Sequence, residues 1–133
     1  MRWSLQAAVI LCIWNFPPNA SAGTWKDIFA TGNQQGRYAY EHRELERAAQ
    51  LFSDPMWKGI ALYRLGKYEE AAQSFAELQT AQAHFNRGNA LVKAKAYVLA
   101  IEAYEDALKK EPSYAAAKRN HRLAKIILAE ITK

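Results

Sequence analysis

Apolar residues in this chain return every three or four positions, the spacing of one face of an α-helix. Ile60, Leu62, Tyr63 and Leu65 form one such set, and Tyr68, Ala71, Ala72, Phe75 and Leu78 form the next. Between them sits Leu65-Gly66-Lys67. A glycine there lets the backbone take the left-handed conformation that ends a helix. The pattern predicts two antiparallel helices of about twelve residues each, joined by a tight turn. From Trp25 onward no stretch alternates apolar and polar residues long enough to predict a strand.

The hairpin recurs. ALYRLGKYEEAAQSF, from Ala61 to Phe75, returns 29 residues later as ALVKAKAYVLAIEAY, from Ala90 to Tyr104. Leu62 matches Leu91, Tyr68 matches Tyr97, Ala71 matches Ala100, and Phe75 matches Tyr104. A fainter copy lies 23 residues upstream, from Tyr38 to Phe52, with Ala39, Leu45, Ala48 and Phe52 in the same places. Gly59 and Gly88 each stand three residues before a matched leucine. A glycine inside a helix costs about 1 kcal/mol relative to alanine, so two at equivalent places predict a close crossing against bare backbone. Ala71 and Ala100 are expected to serve the same purpose on the second helices, with Phe75 and Tyr104 filling the space beyond. Pro112 is expected to stop one helix and open the next, with Ser113 as its cap.

These positions resemble the tetratricopeptide repeat, a helical hairpin with a period of about 34 residues. Starting one unit at Ala81 places Gly88, Leu91, Tyr97, Ala100, Tyr104, Ala107 and Pro112 on the family's pattern. Starting another at Phe52 places Gly59, Leu62, Tyr68, Ala71, Phe75 and Leu78, in a unit five residues short. A start at Phe29 places Gly36, Ala39, Leu45, Ala48 and Phe52 in a unit of 23 residues. The resemblance implies an all-α fold of stacked antiparallel hairpins in a right-handed superhelix. The hairpins would cover about 25–53, 54–79 and 80–111, with a capping helix over 113–132. A narrower resemblance runs from about Trp25 to His121. WKDIFATGNQQG followed by DPMWKGIALYRLGKYEEAAQSF is similar to the repeat segment of bacterial proteins that join a von Willebrand factor A domain to such repeats, encoded in aerotolerance-type operons. It implies a partner carrying that domain in the cell envelope.

Residues 1–22 read differently. Arg2 precedes the short apolar run SLQAAVILCIWNF, which Pro17-Pro18 closes, and Ala20 and Ala22 stand in A-x-A spacing. This predicts a secretory signal peptide cleaved after Ala22, and an exported, periplasmic or envelope-associated domain over 23–133. An uncleaved anchor is the other reading, although the run falls short of the roughly 20 residues that span a bilayer. Cys12 is the only cysteine. The mature chain would therefore hold neither a disulfide nor a cysteine-based metal site.

Half of the 133 residues are hydrophobic and 23% are charged, enough apolar content for a packed core. The net charge of +5 is concentrated at the end. Lys118, Arg119, Arg122, Lys125 and Lys133 face only Glu130, whereas the stretch from Gly23 to Ala117 is balanced. In the last segment Leu123, Ile126, Ile127 and Ile131 share one side. They are expected to cover the last hairpin while the basic side stays in water. The competing reading is a basic strip docked on an anionic membrane. Basic residues without interleaved aromatics give no platform for stacked bases, so nucleic acid is not expected.

Nothing here reads as a catalytic centre. His42, His84 and His121 are far apart and lack partners at ligand spacing, apart from Glu41 next to His42. Glu69-Glu70 and Glu102-Glu105-Asp106 read as wet faces of second helices, with Lys109 four residues after Glu105 as its ion-pair partner. The glycines never cluster into a phosphate loop. No enzyme activity, cofactor, metal or small-molecule substrate is expected, and a protein partner is. The repeat resemblance implies that first helices line a concave groove, through Trp57, Tyr63 and Arg64 on one hairpin and Phe85, Asn86, Asn89 and Lys93 on the next. Arg119 and Asn120 would continue it on the capping helix. Asn86 and Asn89 share a face, and amides offer both donors and an acceptor to a peptide backbone; the other reading is that they hydrogen-bond neighbouring helices. In repeats that hold peptide C-termini a basic residue precedes this asparagine pair; Phe85 stands there instead, so a full carboxylate clamp is not expected.

Overall fold

The computed structural model describes residues 31–133, so the expected signal segment and Phe29 lie outside the described residues. The described residues form seven helices and no strand: α1 (Gly32–Glu41), α2 (Leu45–Leu51), α3 (Pro55–Arg64), α4 (Tyr68–Ala76), α5 (Ala81–Lys93), α6 (Tyr97–Lys110) and α7 (Ala115–Ile131). Each helix packs on the next in sequence, giving three hairpins and a terminal helix stacked in chain order. The fold is all-α, as the apolar spacing predicts. The second hairpin is tighter than expected, with helices of ten and nine residues. Leu78 falls beyond the end of α4, where it is half-buried.

Three turns close the hairpins in one geometry. At each, the second residue past the C-cap donates its N–H five residues back: Glu44 to the Ala39 carbonyl, Lys67 to Leu62 and Ala96 to Leu91. The residue before it donates three back, from Arg43 to Tyr40, Gly66 to Tyr63 and Lys95 to Val92. These paired bonds satisfy helix-end carbonyls and require a left-handed residue in the middle. Gly66 takes φ +78° as expected, but Arg43 and Lys95 occupy the same region at φ 63° and 61°. The turn is thus imposed by packing at two of three places.

The first helix of each hairpin is capped by a side chain. Asp54 accepts from the N–H groups of Met56 and Trp57, with Pro55 in the first turn behind it. Thr80 caps α5, and Thr31 and Gln34 form a reciprocal box on α1. α7 departs from expectation: it starts at Ala115 behind an N-cap Tyr114 that makes no side-chain cap bond. Ser113 is therefore not the cap, and Pro112 lies in the preceding loop, exposed, ending α6 without opening α7.

The core is built from alanines between aromatics. Ala39, Ala48, Ala61, Ala71, Ala90, Ala100, Ala103 and Tyr104 are all but inaccessible, as are Phe52 and Phe75, with Leu62 and Leu91 beside them. Ala107 is buried as well. A Cβ added to Gly36 would meet Phe52 at 2.8 Å, one on Gly59 would meet Phe75 at 2.5 Å, and one on Gly88 would meet Tyr104 Cδ1 at 2.6 Å. The three glycines thus receive rings from their own second helices, each ring 16 residues further on. The expected close approach exists, with an aromatic ring rather than a helix backbone against the glycine. Tyr68 and Tyr97 open α4 and α6 and are half-buried; Tyr68 meets Tyr63 edge-on at 5.3 Å.

α7 caps the stack by a different face from the one expected. Ala117 and Ala124 are buried against α6, while Leu123, Ile126, Ile127 and Ile131 are exposed. The small residues let α7 lie close, and the large ones are left facing outward. The outer-face pairing is also redistributed: Lys109 pairs with Asp106 at 2.8 Å, while Glu105 holds Nε2 of His121 at 3.1 Å. The Lys109 hydrogen bond holds the Asp106 carboxyl below the usual carboxylate range.

Candidate functional site

The first helices of the hairpins and α7 line a groove made of two adjoining hollows. One, of about 280 Å³, is walled by Tyr40, Ile60, Tyr63, Arg64, Phe75, Asn86 and Asn89. The other, of about 400 Å³, is walled by Tyr63, Asn89, Val92, Lys93, Asn120, Leu123 and Ile127, with Tyr104 and Ala124 at its base. Tyr63 and Asn89 belong to both, so the hollows meet there. No carboxylate lines either one.

The floor of the groove is a part-buried hydrogen-bond cluster. Tyr104, on α6, donates its hydroxyl to Asn89 Oδ1 at 2.8 Å, and Asn120 Nδ2 donates to the same oxygen at 2.9 Å. Three helices are thereby tied at one atom. Burial pushes the Tyr104 phenol up to about 12, with the Asn120 amide opposing the rise and Tyr63 adding to it. Both lone pairs of the Asn89 oxygen are used. Its amide nitrogen makes no hydrogen bond among the described residues, which leaves two donors at the junction of the hollows. Asn86 is engaged more weakly, donating to the Met56 sulfur at 3.3 Å and accepting from Gln82 at 3.2 Å.

Two cations flank the groove. The Arg64 guanidinium lies over the Tyr40 ring, 4.7 Å from its centre. Lys93 is exposed and makes no ion pair with a described residue. The structure thus brings together Tyr63, Arg64, Asn86, Asn89, Lys93 and Asn120. It does not bring in three others. Trp57 stacks on Phe52 at 5.9 Å and meets Tyr40 edge-on, with Arg37 over its ring. Phe85 packs between Tyr104 and Tyr114. Arg119 is exposed but lines neither hollow. Sequence reasoning missed Tyr40 and Phe75. Tyr40 stands 23 residues before Tyr63, the offset of the faint first copy, so its signal was present.

Residues 81–114 match the tetratricopeptide repeat family. The matched stretch is α5, α6 and the loop to α7, so the Gly88–Tyr104 contact and the Asn89 junction lie inside it. Two solved structures share the architecture of such repeats. One is the first TPR of Spaghetti (RPAP3) bound to the HSP90 peptide SRMEEVD, at 19% identity and a TM-score of 0.65, covering 74% of this chain and 90% of that one. The other is the Arabidopsis OM64 TPR domain, at 19% identity and a TM-score of 0.59, covering 70% of this chain and 90% of that one. At these identities the likeness is one of fold. No curated protein sequence matches the chain.

Two further facts bound the chemistry. No group of three histidine, cysteine or acidic side chains among the described residues could hold a metal ion. No described helix is long and apolar enough to cross a membrane. The histidines serve other ends: His42 stacks on Tyr38, His121 meets Glu105, and His84 is buried with neither ring nitrogen hydrogen-bonded.

Proposed function

We propose that this chain is an interaction module that grips an extended segment of a partner protein along the groove. The observation that carries the reading is the Asn89 amide nitrogen. Its two N–H donors have no partner among the described residues and stand where the hollows meet, suited to a carbonyl oxygen of a peptide backbone. Tyr63, Val92, Leu123 and Ile127 offer apolar contact on either side, and Arg64 and Lys93 favour a segment with acidic residues nearby. The peptide held by the Spaghetti repeat domain supports the mode of binding. Without a lysine at Phe85 the grip falls on backbone and side chains along the segment.

The setting we propose is the cell envelope, with export directed by residues 1–22 and a von Willebrand factor A protein as the partner. Support comes from the charged start, apolar run and A-x-A spacing, and from the resemblance over Trp25–His121. N-terminal sequencing of material from the envelope fraction tests export; a chain starting at Met1 in the cytosol would overturn it.

Binding is tested by capturing partners from envelope extract on the wild-type chain and on Arg64→Glu with Lys93→Glu, then titrating the captured protein by calorimetry. Both substituted positions are exposed, so circular dichroism should be unchanged while affinity falls. Equal affinities would remove the groove as the site. Docking on anionic membrane through α7 is the second reading, favoured by the exposed Leu123, Ile126, Ile127 and Ile131 beside basic residues. It calls instead for vesicle binding lost at high salt.

A further inference from the structure

A different face of α7 forms a groove with α6, on the far side of the buried alanines from Leu123 and Ile127. Lys118, His121, Arg122, Lys125, Ile126 and Ala129 line it with Leu108 of α6, as an open hollow of about 480 Å³. Its place in the repeat explains what it is. α5 starts at Ala81 and α7 at Ala115, 34 residues later. Burial follows the same offset: Ala83 and Ala117 are both fully buried, and Ala90 and Ala124 are 0% and 1% exposed. α7 therefore stands to α6 as α5 stands to α4, in the position of the first helix of a fourth hairpin.

On α5 the face bearing Gly88 is covered by α6, with Tyr104 against the glycine. His84 and Leu91 lie one turn to either side, and all three are buried. The residues 34 later on α7 are Lys118, Arg122 and Lys125, and all three are exposed. They form the wall of the groove. The groove is thus the slot that a second helix would fill. None of the three cations forms an ion pair with a described residue, and the nearby Glu105 is taken by His121 at 3.1 Å.

We propose that this slot receives an acidic amphipathic helix from a partner protein, completing a fourth hairpin in trans. Charge complementarity sets the occupant's chemistry. Lys118, Arg122 and Lys125 follow one another at helical spacing and call for carboxylates repeated along a facing helix. Leu108, Ile126 and Ala129 call for an alanine- and leucine-bearing ridge between those carboxylates. Arg122 where α5 has glycine keeps the incoming helix farther out than α6 sits on α5. Ion pairs across the rim then take the place of an aromatic ring on bare backbone.

The test is a nitrogen-15 NMR titration of the full chain with a synthetic helix of about 18 residues, long enough to be helical alone. It carries alanine and leucine on one face, flanked by glutamates at i, i+4 and i+7. A lysine version and phosphatidylglycerol vesicles form the other arms. The glutamate helix should shift amides around Leu108, Lys118 and Arg122 saturably, and the lysine helix should not. Arg122→Glu with Lys125→Glu should weaken the glutamate helix by roughly tenfold or more and create binding to the lysine helix. The proposal is overturned if the glutamate helix shifts nothing, or shifts residues around Tyr63 and Lys93 instead. It is also overturned if vesicles bind α7 while the helix does not, or if the charge swap leaves both affinities unchanged.

Discussion

Tyr104 packs against Gly88, so close that a Cβ on the glycine would fall 2.6 Å from the ring's Cδ1. The ring cannot retreat, because its hydroxyl is held by Asn89 on the same helix as the glycine and the side chain is 1% exposed. Gly88→Ala gains about 1 kcal/mol of helix propensity. It meets an overpacking cost of about 1–3 kcal/mol. The net effect expected is a loss, read as a lower urea midpoint. Combined with Tyr104→Leu, the same substitution should turn neutral or stabilising. A Gly88→Ala protein as stable as wild type would show that the ring has room to move.

The left-handed turns make a second prediction of opposite sign. Arg43 and Lys95 hold φ values near those of Gly66, at a steric cost of about 1–2 kcal/mol that glycine does not carry. Glycine adds freedom to the unfolded chain, which offsets part of the gain. Arg43→Gly and Lys95→Gly should each raise stability by about 0.5–1 kcal/mol. Gly66→Ala should lower it by about 1 kcal/mol although nothing lies within 4 Å of the added Cβ. Thermal melts of the three variants decide this.

Asn89 serves the fold as well as the groove. Asn89→Ala leaves the Tyr104 hydroxyl and the Asn120 amide without their shared acceptor. An unsatisfied buried polar group costs about 1–3 kcal/mol. Asn86→Ala should cost less, since its partners are a thioether and the exposed Gln82. Denaturant curves for the two variants should therefore separate. If they coincide, the three-helix junction contributes little.

The same junction gives an alkaline signature. Folding raises the Tyr104 phenol from its ordinary value of 10.0 to about 12, chiefly by burial. The folded state then keeps a proton that the unfolded state has released. The associated stability is complete below pH 10 and is lost as pH climbs through about 12. The loss amounts to roughly 2 kcal/mol. Tyr104→Phe should be less stable near neutrality, through the lost hydrogen bond, and should show a shallower decline above pH 10. Parallel slopes for the two proteins would mean that other groups govern the alkaline limb.

The helices, their order and a close approach at the helix glycines were legible because each depends on local spacing. A face that repeats at three and four must be buried, and a glycine in a helix must admit something close. That the rings of Phe75 and Tyr104, and not a crossing helix, fill the space at Gly59 and Gly88 is decided by the tertiary packing. The turn at Gly66 was legible from local spacing too, whereas Arg43 and Lys95 gave no sign. There the hydrogen bonds and packing of the hairpin override the residue's own preference.

Polar residues were the harder part, because a sequence shows an amide's capacity and not its use. Asn89 was readable as a groove residue; that its oxygen is consumed by Tyr104 and Asn120 depends on three helices converging at one point. α7 shows the same limit at the scale of a face. Its isoleucines and leucine carry the larger hydrophobic signal, yet Ala117 and Ala124 make the contact, because only small side chains let α7 lie as close to α6 as α5 lies to α4. Periodicity states that one face of a helix is apolar, and which face is buried is decided by the depth of the surface it must fit.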